Sequence, residues 1–138
     1  MQELLKQIQS LDYGQTGKPL SEDEIEAAQQ ELEACDLPNL PQDVICFLKY
    51  YNGFKAEGRT VFGIDDGKHF FYDIIGENLN AEFENSAAVL LLGETDLTWI
   101  AWLEKENSYA IVDKATKMVL HKLDGFANAV RYILQIDD

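Results

Sequence analysis

The stretch LPNLPQDVICFLKYYNGF, residues 37–54, decides where the helical part of the chain ends and the sheet begins. Pro41 suits the first turn of a helix, since a backbone N–H at that position would have no partner within the helix. The apolar residues that follow it recur at helical spacing: Val44, Phe47, Leu48 and Tyr51. The stretch therefore predicts a helix that begins near Pro41.

The Asn52-Gly53 pair at the end of this stretch is open to two interpretations. An Asn-Gly hairpin turn would need alternating strands on both sides, but the residues before Asn52 repeat with the period of a helix. Gly53 is therefore predicted to be the left-handed residue that ends the helix, with Asn52 at its cap. Phe47 and Tyr51 are expected to pack inward.

Two further helices are predicted before this stretch. Gly14 and Gly17 end the first, which is short. In the second, Ser21 and Glu24 have the spacing of a capping box, in which the hydroxyl and the carboxylate each cap a free backbone amide. The predicted buried faces are Leu4, Leu5, Ile8 and Leu11 in the first helix, and Ile25, Ala28 and Leu32 in the second.

After residue 54 the pattern changes to strands. The segment HFFYDII, residues 69–75, fits either a strand or an irregular connection. A polar turn, DKATK, separates the last two strands and is typical of antiparallel neighbours. The predicted strands are RTVFGI (59–64), AAVLLLGET (87–95), LTWIAWLE (97–104), SYAIVD (108–113) and MVLHKL (118–123).

A last helix completes the predicted fold. Asp124 is expected to cap it, and Phe126, Val130 and Ile133 form its apolar face. The sum is an α+β fold with N-terminal helices, an antiparallel sheet of about four to six strands and a C-terminal helix. At 138 residues the whole chain, 1–138, is predicted to be a single domain.

Charge is the clearest compositional feature, with 25 acidic against 11 basic residues and a net charge of −14. Residues 1–40 carry nine acids and two bases, and residues 77–106 carry seven and one. Such a chain is repelled by nucleic acid and by anionic membranes, whereas a basic protein partner is attracted. The alternative interpretation of the charge is simple solubility. No apolar run approaches the length of a membrane span and the N-terminus lacks the pattern of a signal peptide, so we expect a cytoplasmic protein.

The second acidic segment contains a candidate partner-binding surface. The acids Glu77, Glu82, Glu84, Glu94 and Asp96 form an acidic strip, flanked by two loop acids. The alternative is that these are solvated loop residues. The aromatic residues Phe70, Phe71 and Tyr72 are either interface anchors or core. The predicted partner-binding residues are Asp65, Asp66, Glu82, Glu84, Glu94 and Asp96.

The sequence contains no pattern typical of an active site. Cys35 and Cys46 lack any local signature that would pair them with His69 or His121 for catalysis, and the histidines lack metal-ligand spacing. The glycines are spaced like turns and not like a phosphate-binding loop. We therefore predict no enzyme activity, no metal site and no cofactor.

Several of these segments together resemble the SUKH superfamily, named for the Syd, US22 and Knr4 homology. The resemblance covers roughly residues 20–136. Its first part is a signature of Leu-Pro, a helix, Phe-Leu and Asn-Gly, and VFGID follows at residues 61–65. The other two parts are the strand pair in LLLGETDLTWIAW and the terminal helix in DGFANAVRYIL. The signature residues are Leu40, Pro41, Phe47, Leu48, Asn52 and Gly53.

The resemblance implies a binding module without catalytic motifs. Bacterial SUKH proteins are mostly regarded as immunity proteins, which bind and neutralise a toxin domain that is frequently a nuclease or a deaminase. Toxins of this kind tend to present basic grooves, which an acidic protein complements. The alternative is a regulatory or scaffolding module with no toxin partner, because a fold alone does not determine a function.

Overall fold

The computed structural model describes residues 2–9, 15–65, 73–81 and 88–135 of the chain. The described residues form five α-helices and seven strands, without a regular alternation of helix and strand. This arrangement confirms the α+β class. The helices are α1 (Gln2–Gln9), α2 (Glu22–Ala34), α3 (Gln42–Leu48), α4 (Ile74–Asn80) and α5 (Phe126–Leu134). The strands are β1 (Gln15–Thr16), β2 (Phe54–Ala56), β3 (Arg59–Val61), β4 (Val89–Glu94), β5 (Thr98–Leu103), β6 (Ser108–Asp113) and β7 (Val119–Leu123).

The first two helices match the sequence prediction. Leu4, Leu5 and Ile8 are buried in α1, while Leu11 lies outside the described residues. The capping box of α2 is present: Glu24 N–H donates to Ser21 Oγ at 3.2 Å, and Ser21 N–H donates to the Glu24 carboxylate at 3.1 Å. The predicted stripe of α2 is buried as well, namely Ile25, Ala28 and Leu32.

Helix α3 ends earlier than predicted. Its last residue is Leu48 and Lys49 follows as the cap, so the prediction that Asn52 and Gly53 end the helix is wrong. Gly53 does have a left-handed backbone, with φ 87°, but it lies directly before β2. Asn52 is completely buried, and its side-chain amide forms two hydrogen bonds with the backbone of Ile64, which lies after β3.

The seven strands form one antiparallel sheet in chain order, from β1 at one edge to β7 at the other. All five predicted strands are present. The two-residue β1 and the three-residue β2 were not predicted, since both are too short to show a period. Residues 69–72 lie outside the described part, and Asp73 caps a helix, α4, that the sequence pattern did not predict.

One face of the sheet is covered by α5. Residues opposite each other on antiparallel strands share a face, which gives a buried row of Phe54, Val61, Gly93, Ile100 and Ile111. Two residues before Ile111 on the same face, the Tyr109 ring lies 5.8 Å from Phe126 of α5. Phe126 also packs 5.5 Å from Phe47 of α3. The core therefore lies between this face and the helices.

The start of α5 differs from the prediction in one respect. Gly125 precedes the helix with no side-chain cap, so the prediction that Asp124 caps it is wrong. The predicted apolar face of Phe126, Val130 and Ile133 is buried as expected. Within the described ranges, no helix combines the length and apolar character that a bilayer span needs.

Candidate partner-binding surface

The second face of the sheet carries a row of mixed character, in which Thr60 and Val112 are buried and the other residues are partly exposed. Following the strand register from β2 to β6, the residues opposite one another are Lys55, Thr60, Glu94, Trp99 and Val112. This row alternates with the buried row on the first face, because successive side chains of a strand point to opposite sides. The predicted site residue Glu94 is thus the last residue of the central strand, β4.

Glu94 is neutralised by a basic neighbour. Lys114, in the turn after β6, donates to the Glu94 carboxylate at 2.6 Å. The Glu94 side chain is only 18% exposed and the Lys114 side chain 27%. The ammonium groups of Lys114 and Lys117 also lie 5.8 and 5.9 Å from the Trp99 ring centre, within the range of a cation–π interaction. Of the predicted site residues, Glu94 therefore offers little uncompensated charge to a partner.

Helix α4 brings Glu77 next to this pair. Burial raises the pKa of Glu77, and the negative charge of Glu94 raises it further. Lys114 acts in the opposite direction, and Asp73 adds a smaller upward contribution to the pKa. The predicted acidic strip therefore contains at least one pair of mutually repelling carboxylates, which are held together by the fold.

Asp96 lies in the turn between β4 and β5 and is exposed. It borders a groove of about 280 Å³ that also contains Glu94, Lys55 and Lys114. The groove contains two of the predicted site residues, Glu94 and Asp96. It also has two lysines in its wall, so its charge is mixed.

The remaining predicted site residues are only partly described. Asp65 is exposed, and its backbone N–H donates to the Asp73 carboxylate at 2.9 Å, which ties this loop to the start of α4. The other predicted contacts lie outside the described residues: Asp66, Glu82 and Glu84, together with the aromatic residues Phe70, Phe71 and Tyr72.

A larger acidic surface lies on α2, where the sequence interpretation did not place a site. Seven exposed acids along this helix and its end form what we call the α2 acidic face: Glu22, Asp23, Glu24, Glu26, Glu31, Glu33 and Asp36. Within the described ranges, the one ion pair on this face joins Glu22 to Lys49 at 3.5 Å. A sequence signal for it exists, since no lysine or arginine occurs between Lys18 and Lys49.

Exposed apolar side chains cluster at one end of the sheet. Leu97 and Met118, in the turns after β4 and β6, are 73% and 65% exposed. The two turns are in contact, because Lys114 N–H donates to the Leu97 carbonyl at 2.9 Å. Tyr132 of α5 lines a groove with Leu97, and its ring packs 5.0 Å from the His121 ring of β7 at a tilt of 52°. Apolar groups at a protein surface frequently mark contacts with other proteins.

No arrangement typical of catalysis or metal binding is found in the described part of the chain. There, no group of three or more His, Cys, Asp or Glu side chains is placed to hold a metal ion. Cys35 and Cys46 are free thiols, and His121 packs against Tyr132.

Comparison with known proteins identifies the family. The model of the SMI1/KNR4 family (SUKH-1) matches residues 19–125, more than three quarters of the chain. The chain belongs to the SMI1/KNR4 family (SUKH-1). The expected SUKH resemblance is thereby confirmed, and the SUKH-1 match runs from the residues before α2 to the residue before α5. A search of curated proteins found no match.

Proposed function

We propose that this SUKH-1 protein is an immunity protein that binds and neutralises a toxin domain in the cytoplasm. The toxin domain would be one that acts on nucleic acid, such as a nuclease or a deaminase, with a basic surface. The proposed contact residues are Asp65, Asp66, Glu82, Glu84, Glu94 and Asp96. In this proposal the protein has no catalytic activity, needs no cofactor, and binds neither nucleic acid nor membrane.

The observation that carries this proposal is the surplus of acidic side chains without basic neighbours. The α2 acidic face alone holds seven carboxylates, with Lys49 as the one base in an ion pair on it among the described residues. Acids in the first turn of a helix stabilise its dipole, but Glu31, Glu33 and Asp36 lie at the other end, where negative charge is unfavourable. Helix stability therefore does not account for them, and in this proposal they attract a basic partner.

The relation between the two acidic regions is also part of the proposal. Glu94 is paired with Lys114, so its charge is largely compensated, whereas Asp96 of the strip is exposed. The α2 acidic face adds to the same long-range negative field. Opposite potentials of this kind raise association rates by about 10- to 1,000-fold at low salt.

Co-expression tests the proposed function. The toxin domain encoded beside this gene would be expressed with and without the protein, and cell survival and co-purification would be read together. Rescue with a stable complex is the expected result. Toxicity that persists, without a complex, would contradict the immunity role.

A regulatory or scaffolding role is the second candidate, and the apolar cluster of Leu97, Met118 and Tyr132 favours it. Leu97 and Met118 lie in turns and Tyr132 in α5, and a groove that also includes Arg59 is lined by Leu97 and Tyr132. An apolar contact of this kind does not depend on a basic partner. The two roles separate experimentally, because a scaffold would bind its partner with little dependence on salt concentration.

A further inference from the structure

A second groove, distinct from the acidic strip, lies where α3 begins and β5, β6 and the residues before α5 meet. Its volume is about 340 Å³, and its wall includes Asp43, Trp102, Asn107, Tyr109 and Asp124. No lysine or arginine lines it. The groove thus combines two carboxylates with aromatic rings, and neither α3 nor β5 was singled out for function in the sequence.

The Tyr109 hydroxyl is the first element of the site. The residue is 3% exposed, and its ring is held 4.8 Å from Trp102 and 5.8 Å from Phe126. Among the described residues the hydroxyl forms no hydrogen bond, and it is not completely enclosed, so it can accept a hydrogen bond from a group in the groove. Because the rings enclose the body of the side chain, its polar end is the part that reaches the groove. Burial, followed by the negative charge of Asp43, raises the pKa of this hydroxyl, so it remains protonated at neutral pH.

Two carboxylates line the same groove as this hydroxyl. Asp43 and Asp124 are both exposed, and in the described part of the chain neither makes a hydrogen bond or an ion pair. Asp43 Oδ2 lies 3.7 Å from the position that a Cβ on Gly125 would occupy. The Asp43 carboxylate is therefore close to the backbone that follows Asp124. The half-buried Trp102 ring completes the wall. The groove therefore contains two negatively charged hydrogen-bond acceptors together with an aromatic surface.

We propose that this groove binds a guanidinium or ammonium group, which donates hydrogen bonds to Asp43, Asp124 and the Tyr109 hydroxyl oxygen and packs against Trp102. Carboxylates are the strongest partners of such cations, and aromatic rings attract them through their π faces. A hard metal ion is a poorer match, since calcium takes six to eight oxygen ligands and aromatic rings supply none. The site goes beyond the proposed function and does not depend on a toxin partner.

The cation has two potential sources, which share this chemistry: an arginine or lysine side chain of another protein, or a free organic cation. Titration of the ¹⁵N-labelled protein with blocked arginine and with agmatine separates them. Both probes are expected to shift the Trp102 indole N–H and the Asn107 and Tyr109 amides in a saturable way. Tighter binding of blocked arginine assigns the groove to a protein side chain, and tighter binding of agmatine assigns it to a free cation.

Matched controls make this test specific. Blocked citrulline has nearly the same shape as blocked arginine without its charge, and it is expected to cause no saturable shift. The Asp43→Asn/Asp124→Asn double variant should bind blocked arginine at least about tenfold more weakly. Asp23→Asn/Glu26→Gln, which removes the same charge from α2, should leave this affinity unchanged.

Tyr109→Phe provides an independent variant. It keeps the ring packing and removes only the unpartnered hydroxyl, so the fold is retained while affinity for blocked arginine falls several-fold. The proposal is overturned if neither guanidinium probe gives saturable shifts, if citrulline binds equally well, or if calcium binds in preference to both. Equal affinity in the Asp43/Asp124 and Asp23/Glu26 double variants would overturn it as well.

Discussion

At the scale of single residues, Asn52 explains why an Asn-Gly pair follows α3. Its side-chain oxygen accepts from Ile64 N–H at 2.6 Å, and its amide nitrogen donates to the Ile64 carbonyl at 2.8 Å. The neighbouring backbone approaches so closely that a Cβ on Gly63 would lie 2.5 Å from Asn52 Oδ1. One buried side chain thus joins the end of the helical region to the segment after β3.

Asn52→Ala tests this role. The substitution removes the two buried hydrogen bonds between the Asn52 side chain and the Ile64 backbone, so we expect a loss of about 2–4 kcal/mol in the free energy of unfolding. Urea denaturation measures it. Asn39→Ala, which removes one exposed hydrogen bond to Glu33, is the matched control and should change stability by less than about 0.5 kcal/mol. A similar effect of the two substitutions would refute the bridging role.

Glu77 gives a second prediction at this scale, concerning pH. Its folded-state pKa is raised above the unperturbed 4.5 by burial and by Glu94. Its favourable contribution is therefore complete below about pH 4.5 and is lost as the pH rises through the folded-state pKa, when the carboxylate ionises. Glu77→Gln should raise the melting temperature at neutral pH and reduce its fall between acidic and neutral pH.

Melting curves across this pH range, compared with Glu57→Gln, provide the measurement. Glu57 is exposed in the turn between β2 and β3, and its replacement is the matched control because it also removes one carboxylate. A Glu77→Gln protein with the same pH profile as the parent would show that Glu77 has no raised pKa.

At the scale of elements, the sequence predicted the helices and strands whose apolar residues recur with a clear period. It did not predict the elements that are very short or that depend on tertiary contacts. The stripe of α2 and the alternation of β5 could be read directly from the sequence. Helix α4 could not, because Gly76, Asn78 and Asn80 are poor helix formers. It is instead held by its environment: Asp73 caps it, and the Asn78 amide pairs with the backbone N–H and carbonyl of Leu91 in β4.

Asp73 is the residue on which this element depends most. One carboxylate oxygen accepts from Gly76 N–H and the other from Asp65 N–H, both at 2.9 Å. Asp73→Ala should lower the free energy of unfolding by about 1–2 kcal/mol, since the cap and the loop contact are lost together. Hydrogen exchange should show faster exchange at Gly76 and Asp65 but not in β6. Unchanged protection at Gly76 and Asp65 would contradict the capping role.

At the scale of the whole molecule, charge was visible in the sequence but its placement was not. The acidic strip could be predicted because it is rich in acids along the sequence. The ion pair of Glu94 with Lys114 could not, because twenty positions separate the two residues in the chain. The groove around Tyr109 joins residues from three distant segments, so no local pattern could indicate it. The α2 acidic face was predictable, since a helix without bases over this length must present its acids on the surface.

The measurement that tests the central claim most directly is the association rate with the toxin domain as a function of salt. Two triple variants with equal charge change would be compared with the parent: Glu82→Lys/Glu84→Lys/Asp96→Lys on the strip, and Glu26→Lys/Glu31→Lys/Glu33→Lys on α2. If the acidic surface attracts the partner, association should slow by about tenfold or more at low salt and lose much of its salt dependence, most strongly on the face that makes contact. Unchanged association rates in both triple variants would contradict the account.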